Sequence, residues 1–328
     1  MAFALANARS KPFRRNRIFV YRYLFGPVPS RRLGYSLGID LVPGKTCSFD
    51  CVFCQSGKTS VLTLDRREYV PVSEVIGEIG AWIDGGGTAD YITLAGSGEP
   101  TLNSAFGRVI DAVHSKCRIK TALLSNGTLF YLPEVRSEAS KSDLVKVSLS
   151  AWDQASFNLV NRPVPSLRFE SVLEGLLSFG AEFKGELWLE VFVVQGMNDS
   201  EDAMRRIAKI AKNIGPDKIH LNTVVRPPAD NMARSVPFSV LEKLAVLFRP
   251  VAEVISPFEA GDAAERKSDE ESLAGLLARH PCGLKDIAVL LKADVRRTAE
   301  LLDKMVADGK VRVEKCGNEL FYTTVGMD

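Results

Sequence analysis

A chain of 328 residues is long enough for one large core and a second small one. Its 46% hydrophobic and 25% charged residues are those of an ordinary globular protein, a net charge of +2 names no partner, and no apolar run reaches the roughly 20 residues of a membrane span. Its six cysteines lack the framework of an extracellular domain and suit a reducing compartment, so a cytoplasmic location without a membrane partner is expected.

The modest charge conceals an asymmetry. No acidic residue precedes Asp40, whereas Arg9, Lys11, Arg14, Arg15, Arg17, Arg22, Arg31 and Arg32 all do. Residues 1–20 read as a basic flexible extension, with a transit peptide or a nucleic-acid-binding arm as alternatives. Residues 21–42 are turn-rich, punctuated by Pro27, Pro29 and Gly34, and alternate into a strand over 36–41. Arg31 and Arg32 either reach a phosphate or carboxylate near the site that follows or form a solvated basic turn.

Cys47, Cys51 and Cys54 come next, at spacing C-x3-C-x2-C. Three thiolates on one short loop suit a soft metal. A structural zinc needs four ligands, so a zinc loop would have to borrow a distant partner such as Cys117. A cubane [4Fe-4S] cluster takes about four cysteines, one per iron, so three would leave one iron open for chemistry. A redox-labile thiol cluster is the remaining alternative.

Strands and helices then alternate. Residues 72–83 have helical spacing and stop at Gly85. A strand over 90–93 runs into Gly96-Ser97-Gly98-Glu99, where glycines allow close backbone approach to a ligand. Helix 106–115 is followed by strand 120–124 and Ser125-Asn126-Gly127. Helix 132–141 precedes strand 146–150, segment 153–160 and the turn Asn161-Arg162-Pro163. Helix 169–179, strand 186–194, the loop around Gly196, helix 200–213 with Ser200 as N-cap, and strand 218–224 complete about six βα units. Such units predict a parallel sheet with a functional rim at its strand C-termini, where all the polar loops named fall.

Composition changes over 259–270, read as a linker between a domain over 21–258 and one over 271–328. Helices over 271–279, 284–291 and 293–308 and a hairpin of strands 310–314 and 320–324 resemble a winged-helix domain. Val295, Arg296 and Arg297 would open its recognition helix, contacting nucleic acid or, as winged helices often do, protein.

The cysteine loop, with aromatic Phe53 before its last cysteine, resembles that of the radical S-adenosylmethionine (SAM) superfamily. With GSGEPTL, SNGTL, KVSLSA, NRP, LEVFVVQGMND and LNTVVRPP, residues 24–229 look like the small radical SAM proteins related to the tRNA wyosine-base synthases. The resemblance implies an α/β fold with a partial (βα)6 barrel. It implies one [4Fe-4S] cluster on Cys47, Cys51 and Cys54, whose open iron binds SAM and whose reduced form cleaves it to a 5'-deoxyadenosyl radical. Phe53 would shield the cluster, Gly96, Gly98 and Glu99 would line the methionine end, and Ser125, Asn126, Ser148 and Ser150 would stand near the ribose. Gly196 would stand near adenine.

Two departures stand out. Ser150 occupies a position where aspartate is expected, and no cysteine precedes Cys47 to hold a second cluster. Cys117, Cys282 and Cys316 read as small buried hydrophobes. The expected partners are a low-potential electron donor of flavodoxin or ferredoxin type and RNA. Modification of a tRNA base is the leading function; modification or activation of a peptide or protein, and an iron–sulfur sensor that binds DNA, are the alternatives.

Overall fold

The computed structural model describes residues 21–30, 32–255, 273, 277, 281–291, 293–316 and 319–325. The expected basic extension, Arg31, the linker over 259–270 and, apart from Leu273 and Leu277, the helix over 271–279 lie outside them.

The chain enters through a hairpin of β1 (Leu24–Ser30) and β2 (Gly34–Ile39) and passes through a short pair, β3 (Thr46–Cys47) and β4 (Val61–Leu62). It then continues as α1 (Val72–Asp84), β5 (Tyr91–Leu94), α2 (Phe106–Lys116), β6 (Lys120–Leu124), α3 (Pro133–Ala139), β7 (Leu144–Ser148), α4 (Gln154–Val160), α5 (Phe169–Glu182), β8 (Glu186–Val193), α6 (Glu201–Ile214), β9 (Lys218–Thr223), α7 (Phe238–Ala245) and β10 (Glu253–Val254). The sheet order is β1-β2-β5-β6-β7-β8-β9-β10. β1 runs antiparallel to β2, and all the other neighbours are parallel. β10, two residues long, adds a seventh parallel strand to the expected six.

The strands are buried on both faces because helices cover one side and the interior of the curl the other. On β8, Leu187, Leu189, Val191 and Val193 join the helix-side core. Trp188 and Phe192 face inward, in separate clusters. The sheet is curled: Leu33, from the β1–β2 turn at one edge, packs with Ala122, Leu144 and Trp188 from β6, β7 and β8, a reach that a flat sheet would not allow. The helix ends follow capping rules. Ser200 Oγ accepts from Ala203 N–H at the start of α6, and Gly215 ends it at φ 70°.

The turn-rich stretch before the cysteine loop holds a seven-residue strand, β1, that the sequence reading missed. Pro27 and Pro29 argued against a strand, yet β1 sits at the sheet edge, where an absent N–H costs little. The ring of Phe25 lies over Gly38 of β2, where a Cβ would stand 2.0 Å from the ring.

Among the described residues the C-terminal module has two full helices, Leu284–Leu291 and Val295–Ala307, and a three-stranded antiparallel sheet rather than the expected two-stranded hairpin. The third strand, β11 (Cys282–Gly283), is too short to show a two-residue period; it pairs with β13 (Glu319–Thr324), which also pairs with β12 (Val311–Cys316). Its core includes Leu273, Leu277, Ile287, Leu302, Met305, Val311 and Tyr322, and Phe25 of β1 is part of it. Arg226, after β9, meets Asp286 at 3.4 Å, so the module touches both the β1 edge of the sheet and the loop after β9. Cys282 is buried as expected, whereas Cys117 and Cys316 are only half-buried.

Candidate active site

The cysteine loop lies across the C-terminal ends of the parallel strands and is tied down from three sides. Its two ends are joined by the β3–β4 pairing and by Ser60 and Val61 N–H groups donating to Lys45 O. Glu99 N–H donates to Thr46 O at 3.0 Å. The NRP turn grips the far side: Asp50 N–H donates to Arg162 O (3.0 Å), Val52 N–H to Val160 O (3.1 Å) and Val164 N–H to Ser48 O (3.0 Å). The loop after β9 adds a third tie, with Asp230 N–H donating to Val52 O (3.0 Å) and the Asp230 carboxylate accepting from Arg162 (2.6 Å).

The three cysteines line one cavity of about 230 Å³, and the expected site residues divide around it. Gly98, Glu99, Ser125, Asn126 and Ser148 share its wall; Phe53, Gly96, Ser150 and Gly196 do not line it. Gly98 is fixed by the cysteine loop itself, since a Cβ there would stand 1.8 Å from Thr46 O. Gly96, at φ 151°, makes room for Asp40, whose carboxylate accepts from Ser97 N–H and Oγ. Glu99 works as a hub. Its carboxylate accepts from Thr101 N–H and Oγ1, Ser125 Oγ and Asn126 N–H, and burial pushes its pKa up against the pull of those donors.

The remaining residues stand further out. Ser150 Oγ accepts from Phe192 N–H at 3.0 Å inside the wall of the curl. Phe53 stacks on Phe192 at a centroid distance of 4.0 Å, in a cluster with Val52, Val194, Val224 and Ala233. Gly196, at φ 74°, has open space around its Cα, and its N–H donates to Asp199.

Sequence reasoning missed a buried charge cluster on the inner face of the sheet. Lys146, in the cavity wall, donates to Glu190 at 2.6 Å, and Arg32 pairs with the same carboxylate. Arg32 thus reaches a carboxylate, one of its expected partners. Burial alone would raise the pKa of Glu190, but Arg32 and Lys146 outweigh it and hold it well below the usual carboxylate range. His220 is buried with no hydrogen-bond partner at Nδ1; burial, then Arg32, push its pKa down to about 4. A signal existed. Lys146 and Glu190 are charged residues at inward positions of otherwise apolar strands.

The donor set fits an iron–sulfur cluster. Burial, then Glu99, push the Cys47 thiol up to about 12, and burial followed by the other two cysteines push Cys51 well above its ordinary value. Buried, mutually repelling thiols become thiolates when a cationic centre binds them. Cys117 is not placed to complete a zinc site, because it caps the C-terminus of α2, at the opposite end of the sheet from the cysteine loop. Among the described residues no helix is long and apolar enough to cross a membrane.

The family model described as the radical SAM superfamily matches residues 41–208. A protein of Brachyspira hyodysenteriae named GTPase Obg is 37% identical over 303 residues, covering 91% of this chain and 45% of that protein. A UPF0026 protein of Methanocaldococcus jannaschii is 30% identical over 306 residues, covering 91% of this chain and 94% of that one. This chain therefore spans less than half of the first and nearly all of the second. The dual-specificity RNA methyltransferase RlmN of Marinomonas sp. is 24% identical over 186 residues, covering 51% of this chain and 47% of that protein. A radical SAM methyltransferase from Sphaerobacter thermophilus superposes with a TM-score of 0.50 at 18% identity, covering 67% of this chain and 65% of that one, a likeness of fold.

Proposed function

The chain belongs to the radical SAM superfamily, and on that premise we propose that it is an enzyme that modifies RNA, with a tRNA base as its target. Enzymes of this superfamily use a [4Fe-4S] cluster and SAM and need a reductant. The observation that carries the site reading is the convergence of Cys47, Cys51 and Cys54 on one cavity with Gly98, Glu99 and Asn126. When bound, the cluster and SAM supply a 5'-deoxyadenosyl radical that abstracts hydrogen from a substrate carbon. The protein's own part is positional. Cys47, Cys51 and Cys54 would hold the cluster, Glu99 locks the Ser125-Asn126 loop through its carboxylate, and Ser148 and Lys146 offer polar contacts on the inner wall.

The RNA reading rests on the C-terminal module, which we read as a winged helix over 271–328, following a radical SAM domain over 21–258. Arg296 and Arg297 are exposed at the start of its second described helix. That helix start lies near the catalytic rim, because Val295 lines one cavity with Val225 and Arg226 of the loop after β9. The wyosine-synthase resemblance and the RlmN match point the same way. A second reading, modification of a peptide or protein, is favoured by the apolar lining of that cavity, where Val295, Leu320 and Phe321 meet. The reductant is proposed to be a flavodoxin- or ferredoxin-type protein.

Anaerobically reconstituted protein should bind about four irons and four sulfides, Cys51→Ala should bind no cluster, and the reduced enzyme should convert SAM to 5'-deoxyadenosine. Zinc at one equivalent in protein purified without oxygen would overturn the site reading. For the substrate, RNA binding should weaken steeply with salt, by a slope of roughly −0.7 to −0.9 per phosphate neutralised, and charge reversal at Arg296 and Arg297 should flatten it. An unchanged slope would move the peptide reading ahead. Mass spectrometry of tRNA from a deletion strain would then identify the missing modification.

A further inference from the structure

Each cysteine sulfur is approached by a side-chain nitrogen donor, each from a different segment, and Cys47 Sγ also accepts from the Phe49 backbone N–H at 3.5 Å. Lys45 Nζ donates to Cys54 Sγ at 2.7 Å, Asn126 Nδ2 to Cys47 Sγ at 3.5 Å and Asn161 Nδ2 to Cys51 Sγ at 3.5 Å. None of the donors relies on sulfur for its position. Lys45 Nζ also donates to Gly57 O at 2.6 Å. Asn126 Nδ2 donates to Ser48 Oγ at 2.9 Å, and its Oδ1 accepts from Thr128 N–H. Asn161 is held through its backbone, accepting from Asp50 N–H and donating to Phe157 O. Two of the three are neutral amides; Lys45 alone brings a charge, and it is 9% exposed.

We propose that Lys45, supported by Asn126 and Asn161, sets the reduction potential of the cluster held by these cysteines, with Lys45 contributing the largest part. The inference rests on the cluster reading above. Reduction adds one electron to the cluster, and the electron comes from an external low-potential reductant; no bond is made or broken in that step. Burial opposes the added negative charge, whereas N–H donors on the ligand sulfurs and a nearby cation favour it, so each donor moves the potential upward. The cation acts at short range in a poorly solvated site, where a charge is screened least. These three are positioning residues that make a buried cluster reducible.

The test uses the full chain and Lys45→Met, Lys45→Arg and Asn161→Ala, each reconstituted without oxygen and titrated by EPR-monitored reduction in the absence of SAM. The midpoint should fall in Lys45→Met, fall less in Asn161→Ala and stay near the parent value in Lys45→Arg. Equal midpoints in the parent, Lys45→Met and Asn161→Ala would overturn the proposal. If Lys45→Met fails to assemble a cluster, Asn161→Ala decides: a lower midpoint supports the proposal and an unchanged one overturns it. A parent chain that assembles no iron–sulfur cluster would instead refute the reading of the site, so the two failures are distinct.

Discussion

Gly98→Ala tests whether the cysteine loop is clamped by the glycine loop beneath it. The added methyl would stand 1.8 Å from Thr46 O, 2.7 Å from Thr46 C and 2.9 Å from Val42 Cγ2, against an ordinary contact of 3.4 Å or more. Backbone must therefore move by well over an ångström, and the atom that moves belongs to the residue before Cys47. Overpacking of this kind costs about 1–3 kcal/mol, and breaking the buried Glu99 N–H to Thr46 O bond adds about 1 kcal/mol. The displaced Cys47 should lower the iron content after anaerobic reconstitution as well as the melting temperature. Gly86→Ala is the control: φ is 82° there but no neighbour lies within 4 Å, so it carries a backbone penalty of about 1–2 kcal/mol with iron content unchanged. Should Gly98→Ala load and melt like the parent chain, the Thr46 contact does not fix the loop. Selective loss of SAM affinity at full iron content would instead mean that the glycine serves only the approach of the cofactor.

His220 should make stability pH-dependent. Its folded pKa of about 4 lies below the ordinary 6.5, so the unfolded chain takes up the proton first. The buried neutral imidazole then loses stability as pH falls from about 6.5 to about 4, by roughly 3 kcal/mol in total. Urea midpoints of the parent and His220→Asn should diverge with a smaller pH slope in the variant, and parallel slopes would refute the assignment. Phe25→Ala should cost about 3–5 kcal/mol as a buried aromatic truncation. Because Phe25 packs in the core of the C-terminal module, limited proteolysis should show faster loss of the module; an unchanged rate would mean that Phe25 does not hold it.

The alternating elements were legible because most carry a hydrophobic period and some a clear end signal. Ser200, expected as the N-cap of α6, caps it in space. The cysteine spacing and the glycine loop were legible as local motifs. What the sequence withheld was long-range. Nothing around Asn161 announces that its amide reaches Cys51 across 110 residues, and nothing near Arg32 names Glu190, 158 residues away. Gly98, expected to give clearance to a ligand, lines the cavity and in addition faces Thr46 of the same chain, a neighbour its local motif does not name. Ser150, expected near the ribose, accepts from Phe192 N–H and does not line the cavity of the three cysteines. Pairings of this kind depend on register between strands, which periodicity alone does not define.

The contacts of the C-terminal module with both Phe25 on β1 and Arg226 after β9 bear on solubility as much as on recognition. A sheet that curls without closing has two borders, and an uncovered border is a template for adding strands from another chain. The prolines of β1 blunt one of them. The module packs on Phe25 at the β1 border, so chains cut off near residue 262, with that border uncovered, should form concentration-dependent polymers before they lose any ligand. A truncation meant to map RNA binding would then report self-association, and substitutions on the exposed face of the module are the cleaner probe.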